Sequence, residues 1–219
     1  MDTKRLVAFL KGLKAHNNKA WFDAHRDEYE PLRQDFFEFV QRVILDTARF
    51  DPALRNLTAK EAVYRINRDI RFSKDKTPYK TSFGAGIGPG GKKGNLAGYH
   101  FGINEQGKVF IAGGLHMPEP NQLEAIRQSI ARQPKKFTTL INAPAFKKQF
   151  GSFDGERLKK APRGFDPDHP LVEYLKLKQF AVWTDIPVSR LPKKNPEQFV
   201  ADQFKVMAPF VLWLRAVSA

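Results

Sequence analysis

The period of the apolar residues changes from helical to strand-like and back along the chain, and this change constrains the fold more than any other feature. Apolar residues near the N-terminus follow the i, i+3, i+4, i+7 spacing of an amphipathic helix: Leu6, Phe9, Leu10 and Leu13. Asn17 or Asn18 is expected to cap a second helix, and Pro31 is expected to open a third. The inner stripe predicted for the third helix is Leu32, Phe36, Phe39, Val40, Val43 and Ile44.

The centre of the chain is typical of β-structure. In VYRINRDIRF, apolar and polar residues alternate, which predicts a strand, although Arg68 falls on its apolar face and a helix remains an alternative. Seven of the 15 glycines lie between Gly84 and Gly98, which predicts a short strand and then a flexible loop. GYHFGI and KVFIAGGL flank NEQG and predict a β-hairpin in which Gly107 takes a positive φ.

The last hundred residues return to helical patterns. Pro118 and Pro120 introduce one helix, and others are predicted at Lys135–Ile141, Pro144–Phe150 and Pro170–Leu177. FAVWTDIP is predicted to be a late strand, and Asn195, Pro196 and Glu197 have the pattern of a helix start. We therefore expect an α+β fold, with helices at both ends packed on a central, mainly antiparallel β-sheet.

No segment has the composition of a domain linker, so we expect residues 1–219 to form a single α+β domain. Its helical N-terminal part would span 1–60, its β-rich centre 61–115 and its helical C-terminal part 119–219. The apolar run near the N-terminus is too broken for a signal peptide, and no stretch approaches the roughly 20 apolar residues of a membrane span. We expect a cytoplasmic protein without a membrane partner.

Several chemistries are excluded or disfavoured by residue type. The chain has no cysteine, which rules out disulfides, zinc–thiolate sites, iron–sulfur clusters and thiol catalysis. The five histidines are not paired at the spacing of two ligands on one helix face, so no metal site is expected. GIGPGGK matches the skeleton of a phosphate-binding P-loop, but Lys93 stands where a true P-loop has Ser or Thr. No cofactor is expected.

Positive charge is concentrated in two segments. The net charge is +14; residues 61–98 contribute +5, eight Lys and Arg against three Asp and Glu, and residues 133–180 contribute +5, ten against five. The stretch RINRDIRFSKDKTPYK carries six basic and two acidic residues. Because arginine binds phosphate and carboxylate in a bidentate way, this stretch predicts a ligand-binding cluster. Its members are Arg65, Arg68, Arg71, Lys74, Lys76, Tyr79 and Lys80, with Lys92 and Lys93 closing over.

Candidates for acid–base chemistry are few. His100 lies on a predicted hairpin strand and His116 follows Gly113 and Gly114, so both could approach the basic cluster if the hairpin lies beside it. Asp69 and Asp75 are the carboxylates within that cluster. These four residues are the candidate catalytic groups, and neutral structural histidines are the alternative interpretation.

Five stretches together resemble one family: NNKAWFDAHRDEYE, RINRDIRFSKDKTPYKTSFGA, AGGLHMPEP, PRGFDPDHP and LKLKQF. In this order they are similar to domain of unknown function 2461 (DUF2461), an uncharacterised and mostly bacterial family. The resemblance covers nearly the whole chain and implies a complete domain, but it supplies no reaction. Its motif positions in this chain are Trp21, Phe22, His25, Tyr29, Arg68, Asp69, Arg71, Phe72, Lys74, Asp75, Lys76, Pro78, Tyr79, Lys80, Gly113, Gly114, Arg163 and Gly164.

Three functions remain open from the sequence. The first is a binding domain for a phosphorylated or otherwise anionic ligand, either a small molecule or nucleic acid. The second is an enzyme acting on a small anionic metabolite, with His and Asp as acid–base groups. The third is a structural protein in which the arginines only form ion pairs.

Overall fold

The computed structural model describes residues 1–151, 153 and 155–218, and within them the chain is an α+β protein. The helices are α1 Thr3–Ala15, α2 Lys19–Ala24, α3 Arg26–Thr47, α4 Ala59–Ala62, α5 Pro120–Arg132, α6 Pro134–Ile141, α7 Pro144–Phe150, α8 Val172–Leu175 and α9 Pro196–Ser218. The strands are β1 Ser82–Ile87, β2 Gly98–Asn104, β3 Lys108–Leu115 and β4 Phe180–Pro187. The predicted fold class is thereby confirmed.

The four strands form an antiparallel sheet in the order β1-β2-β3-β4. The hairpin between β2 and β3 lies where the sequence predicted it, and Gly107 in its turn has φ 71°. Since φ is positive there, a residue without a Cβ is favoured. β4 joins the edge of β3 after the chain has passed through four helices, as the FAVWTDIP pattern indicated.

One face of the sheet is covered by helices. The residues of this inner face alternate along the strands and are buried: Phe83, Ala85, Ile87, Tyr99, Phe101, Ile103, Val109, Ile111, Leu115, Phe180 and Val182. α9 packs on β2 and β3, and α3 packs on α9 and β1. Both predicted inner stripes, in α1 and in α3, are fully buried in this core.

A buried ion pair connects the helical layer to the loop before β2. Asp51 is only 1% exposed, and both of its carboxylate oxygens accept hydrogen bonds from Arg215 of α9, at 2.8 and 2.9 Å. The Arg215 guanidinium also donates to the backbone carbonyl of Ala97. Because every partner is satisfied, the two charges can be buried together.

Two local predictions were wrong. α3 begins at Arg26, not at Pro31, because the chain is already helical through Asp27 and Glu28, whose charges suit a helix N-terminus. Residues 64–72 form neither a strand nor a helix; only Asn67 makes an isolated bridge, to Tyr79. The segment pairs with its own return limb, since the Arg68 amide donates to the Pro78 carbonyl and the Lys80 amide to Ile66.

Among the described residues, no helix is both long enough and apolar enough to cross a lipid bilayer.

Candidate functional site

The outer face of the sheet carries few side chains. Strand register places its residues in three cross-strand rows: Gly98, Gly114 and Ala181; then Gly86, His100, Ala112 and Trp183; then Gly84, Gly102, Phe110 and Asp185. Glycine or alanine thus occupies seven of these eleven positions. The backbone is left close to the surface, with His100, Phe110 and Trp183 standing above it.

This glycine-rich face is the floor of a cleft of about 760 Å³, a volume typical of small-molecule sites. Tyr64 and Lys92 line one side of the cleft, and residues after β3 and before β4 line the other: His116, Met117, Glu119 and Gln179. A second cavity of about 480 Å³ continues over the third row, where Lys80 and Asp185 line it. The two cavities share Tyr64, His100 and Phe110, so we treat them together as the sheet-face cleft.

The glycines of β1 make room for the rings above them. A Cβ atom at Gly86 would lie 2.7 Å from the Tyr64 hydroxyl oxygen. One at Gly84 would lie 3.5 Å from His100 Nε2 and 3.5 Å from Tyr64 Cδ2. The alternation of glycine along β1 therefore allows Tyr64 and His100 to lie across the sheet.

His100 stands in the middle of the cleft. Its ring lies against Tyr64, with centroids 5.7 Å apart, and meets Phe110 edge-on at 5.4 Å. Burial lowers the pKa of His100 to about 4, and the nearby His116 adds to this effect. No hydrogen bond to its ring nitrogens is found among residues 1–151, 153 and 155–218. His100 is therefore neutral at pH 7 and keeps one nitrogen acceptor and one N–H donor for a ligand.

His116 is held at the rim of the cleft. Its Nδ1 lies 2.5 Å from Oε1 of Gln179, and because a carbonyl oxygen only accepts, Nδ1 carries the proton in this contact. In the neutral ring, Nε2 is then left as an acceptor. The arrangement places two imidazoles along the same cleft, each with an unused nitrogen.

A basic groove adjoins the cleft. This cavity of about 450 Å³ lies between α3 and the segment after α4. Its charged lining consists of five cations and one carboxylate: Arg26, Arg33, Lys60, Arg65, Lys92 and Glu30. Tyr64 and Lys92 line both the groove and the cleft, so these two side chains form the partition between them.

Lys92 is fixed in this partition by the backbone. Its Nζ donates to the carbonyls of Lys60, at 2.6 Å, and of Val63, at 2.9 Å. The residues around it, Gly91–Lys93, form one short 3-10 turn after β1, and not the helix that follows a true P-loop. The lysine side chain thus links the glycine loop to the segment that carries Tyr64 and Arg65.

The predicted basic cluster is divided between these sites and a separate loop. Arg65 and Tyr79 line the basic groove, and Lys80 lines the sheet-face cleft. The other four predicted residues line neither cavity: Arg68, Arg71, Lys74 and Lys76. All seven residues share one stretch of sequence, which predicts a single cluster. The chain turns back on itself at residues 68–78, and this turn separates the members of the predicted cluster.

Within that loop the arginines are paired locally. Arg68 donates to Asp75 at 2.5 Å and to the carbonyl of Thr77 at 3.1 Å. Its carboxylate partner comes from its own loop. Arg71 pairs with Asp69 at 2.7 Å. Asp69 and Asp75, two of the four candidate catalytic groups, therefore lie outside the cleft that contains His100 and His116.

Tyr79 and Lys80 follow the loop and differ in exposure. Tyr79 is buried, and its ring stacks on Phe22 with centroids 4.2 Å apart, so that ring face is not available to a ligand. Lys80 Nζ lies 5.2 Å from the centroid of the Tyr64 ring and donates to the Arg65 carbonyl at 3.0 Å. Burial, and then the charge of Arg65, lower the pKa of Lys80.

Sequence reasoning missed some lining residues. Arg26 and Arg33 lie on α3, far from the basic stretch in sequence, whereas Lys60 on α4 comes shortly before it and Gln179 belongs to the LKLKQF motif. The signal that could have located the cleft is the spacing of Gly84, Gly86 and Gly88, which places glycine repeatedly on one face of a strand. Within the described part of the chain, no group of three or more His, Asp or Glu side chains could hold a metal ion.

These features define an α+β protein with a glycine-floored cleft on the uncovered face of its sheet. The chain belongs to the family described as "Conserved hypothetical protein (DUF2461)", whose model matches residues 5–213, so the resemblance seen in the sequence motifs is confirmed. No curated protein and no solved structure matches the chain.

Proposed function

We propose that this protein binds a small anionic organic molecule, with the anionic group in the basic groove and the remainder in the sheet-face cleft. The observation that carries the proposal is the junction of the two cavities at Tyr64 and Lys92. A ligand that spans this junction meets mainly positive charge on one side. On the other side it meets a partly aromatic surface on which Lys80 is offset by Asp185 and Glu119. The proposed site lies away from the loop of residues 68–76. It includes Arg65 and Lys80, which are two members of the cluster predicted from the sequence.

The charge balance of the groove supports an anion. Arg26 is paired with Asp23 and Arg33 with Glu30, whereas Lys60 and Arg65 form no ion pair among the described residues. Within the described residues, two cations without a carboxylate partner, in a groove with only one carboxylate, favour a phosphate or carboxylate ligand. Phosphate is the more informative probe because it carries more charge.

The test is calorimetric titration with adenosine 5′-monophosphate (AMP) and ribose 5-phosphate. We expect both to bind wild-type protein, with affinities that fall as salt rises. The double variant K60A/R65A should lose at least tenfold in affinity for both. K159A/K160A removes the same charge from residues outside these cavities and should bind as wild type. Equal affinities in the two double variants would show that the groove is not the anion site.

Nucleic acid is the alternative anionic partner. A single-stranded oligonucleotide would neutralise several phosphates at once, so its affinity would have a steep logarithmic dependence on salt. Binding of the oligonucleotide orders of magnitude tighter than AMP, with such a slope, would replace the small-molecule proposal with a nucleic-acid surface.

An enzyme is the second candidate function, and the specific observation in its favour is that His100 and His116 line the same cleft. Since Asp69 and Asp75 are elsewhere, the acid–base groups would be the two imidazoles. Incubation of AMP with the protein, followed by chromatography, tests this possibility. A product that is no longer formed by H100Q at saturating AMP supports an enzyme, because saturation offsets any weaker binding; unchanged AMP with the wild-type protein supports binding alone.

A further inference from the structure

The second cross-strand row of the outer face contains a slot. His100 on β2 pairs with Ala112 on β3, and Ala112 pairs with Trp183 on β4. Neighbouring strands are about 4.8 Å apart, so the Cα atoms of His100 and Trp183 lie roughly 10 Å apart. The methyl group of Ala112 is the only side chain between them in this row. A flat ring stacked on another ring needs about 3.5 to 4 Å above it, and the gap over Ala112 between the two residues leaves room for such a ring beside Trp183.

Trp183 differs from the other two tryptophans. Trp21 stacks on His25 with centroids 3.9 Å apart, and Trp213 packs against Phe137 and Phe210. Trp183 is partly buried, yet within the described ranges its indole forms no pair with another aromatic ring. One face of a large aromatic side chain is therefore left to the cleft, at a site where stacking can be offered to a ligand.

The floor favours a flat ring over a polyhydroxylated one. The floor residues Ala112 and Gly114 belong to β3, which pairs with a strand on each side, so their amides and carbonyls are used in the sheet ladder. Few polar groups of the floor can satisfy sugar hydroxyls. Hydrogen-bonding groups are instead found at the edges: a nitrogen of His100, the Gln179 amide and Nε2 of His116. Edge groups around an apolar slot suit the nitrogens and carbonyls of a heterocycle.

We infer that the slot between His100 and Trp183, above Ala112, binds the flat heterocycle of a ring-bearing anion, with a nucleoside monophosphate as the simplest molecule of that class. The inference rests on the proposed function, which supplies the anion site, and adds the chemistry of the ligand's other end. The ring would enter the slot while its phosphate reaches past Tyr64 and Lys92 into the basic groove.

Titration of wild-type protein and two slot variants with AMP, uridine 5′-monophosphate (UMP), adenosine and ribose 5-phosphate tests the inference. In wild type, AMP or UMP should bind at least tenfold more tightly than ribose 5-phosphate, because base–aromatic stacking contributes a factor of that order. W183L removes one wall and A112L fills the floor. Each should weaken nucleotide binding about tenfold and leave ribose 5-phosphate binding unchanged.

Two controls separate loss of the slot from loss of the fold. W21L removes a tryptophan outside the cleft and should leave the AMP preference intact, and circular dichroism must show all three variants folded at the titration temperature. If A112L alone unfolds, W183L still decides the result.

The failures of the two proposals are distinguishable. If ribose 5-phosphate binds as tightly as both nucleotides, or if W183L binds them as wild type does, the slot inference is wrong and the anion site stands. If adenosine binds wild type more tightly than W183L, but AMP binds no more tightly than adenosine, the slot stands and the proposed anion site is wrong. If none of these probes binds, both are wrong.

Discussion

His100 and Trp183 lie in the same cross-strand row of the sheet, two strands apart, with only Ala112 between them. Neither side chain points into the helix-covered core, and both line the cleft on the opposite face. The rest of this row and its neighbours consist mostly of glycine and alanine. The sheet thus uses one face for stability and keeps the other nearly bare, which is the physical basis of the proposed binding site.

The first prediction concerns the glycine floor. G114A should destabilise the protein by at least about 2 kcal/mol, because its φ is 130° and an added Cβ would lie 2.1 Å from the Phe180 carbonyl oxygen. G84A places its Cβ at ordinary contact distances of 3.5 Å and should change the free energy of unfolding by less than about 0.5 kcal/mol. Urea denaturation measures both. Equal effects would show that the floor is not as closely packed against β4 as described.

The second prediction concerns pH. The folded-state pKa of His100, about 4, is below its ordinary value of 6.5, so the unfolded chain binds a proton between these pH values and the folded chain does not. The stabilisation is therefore fully present above pH 6.5 and is lost as pH falls towards 4. Between pH 7 and 4.5, wild type should lose on the order of 2 kcal/mol more than H100Q.

Denaturant unfolding of both proteins across this pH range measures that difference, and an NMR titration of the His100 ring measures its pKa directly. Tyr64, Phe110, His116 and Lys80 surround the ring or its cavity, and two carboxylates, Asp185 and Glu119, also line the cleft. Among the described residues neither carboxylate forms an ion pair with the His100 ring that would hold the proton. Parallel pH profiles for wild type and H100Q would contradict the burial of this imidazole.

The third prediction concerns the loop of residues 68–76. The Thr77 amide and Arg68 guanidinium donate to Asp75 and lower the pKa of its carboxyl to about 2. In R68A this pKa should rise but stay below the ordinary 3.8, because the Thr77 amide still donates. Hydrogen exchange in the loop should accelerate in R68A and not in R71A, whose arginine forms its one ion pair within the described residues with exposed Asp69. AMP affinity should be unchanged in both variants; a tenfold loss in either would return the anion site to this loop.

The fourth prediction concerns the buried ion pair. D51A should lower the free energy of unfolding by about 3 to 5 kcal/mol, because the Arg215 guanidinium would remain buried without its carboxylate. The double variant D51A/R215M should lose less than the sum of the single variants, since it leaves no unpaired charge. Strictly additive losses would mean that the two side chains do not interact in the folded protein.

Much of the architecture could be predicted from periodicity. The stripe from Leu32 to Ile44, the hairpin around Gly107 and the late strand at Phe180–Pro187 each depend on local patterns of apolar residues and turn formers. The prediction of a strand or a helix at residues 64–72 was wrong, because the same alternation of polar and apolar residues also occurs in an irregular loop. This loop forms backbone hydrogen bonds with its own return limb. Its backbone partners are local, and no pattern of side chains reveals that.

The site was harder to predict for a different reason. His100 and His116 were identified by residue type and position near glycines, but their separation from Asp69 and Asp75 depends on how the loop folds away from the sheet. Arg26 and Arg33 reach the groove from α3, and only tertiary packing brings them beside Arg65, while Lys60 on α4 lies just before the basic stretch. Charge counted along one stretch therefore located part of the basic surface and not its centre.

The most direct test of a ring-bearing anion on the exposed sheet face is an NMR titration that follows the three tryptophan indole N–H signals while AMP is added. We predict that the Trp183 signal shifts in a saturable manner, with the same dissociation constant as calorimetry, while the signals of Trp21 and Trp213 stay in place. Saturable AMP binding that leaves the Trp183 signal unmoved would contradict the account.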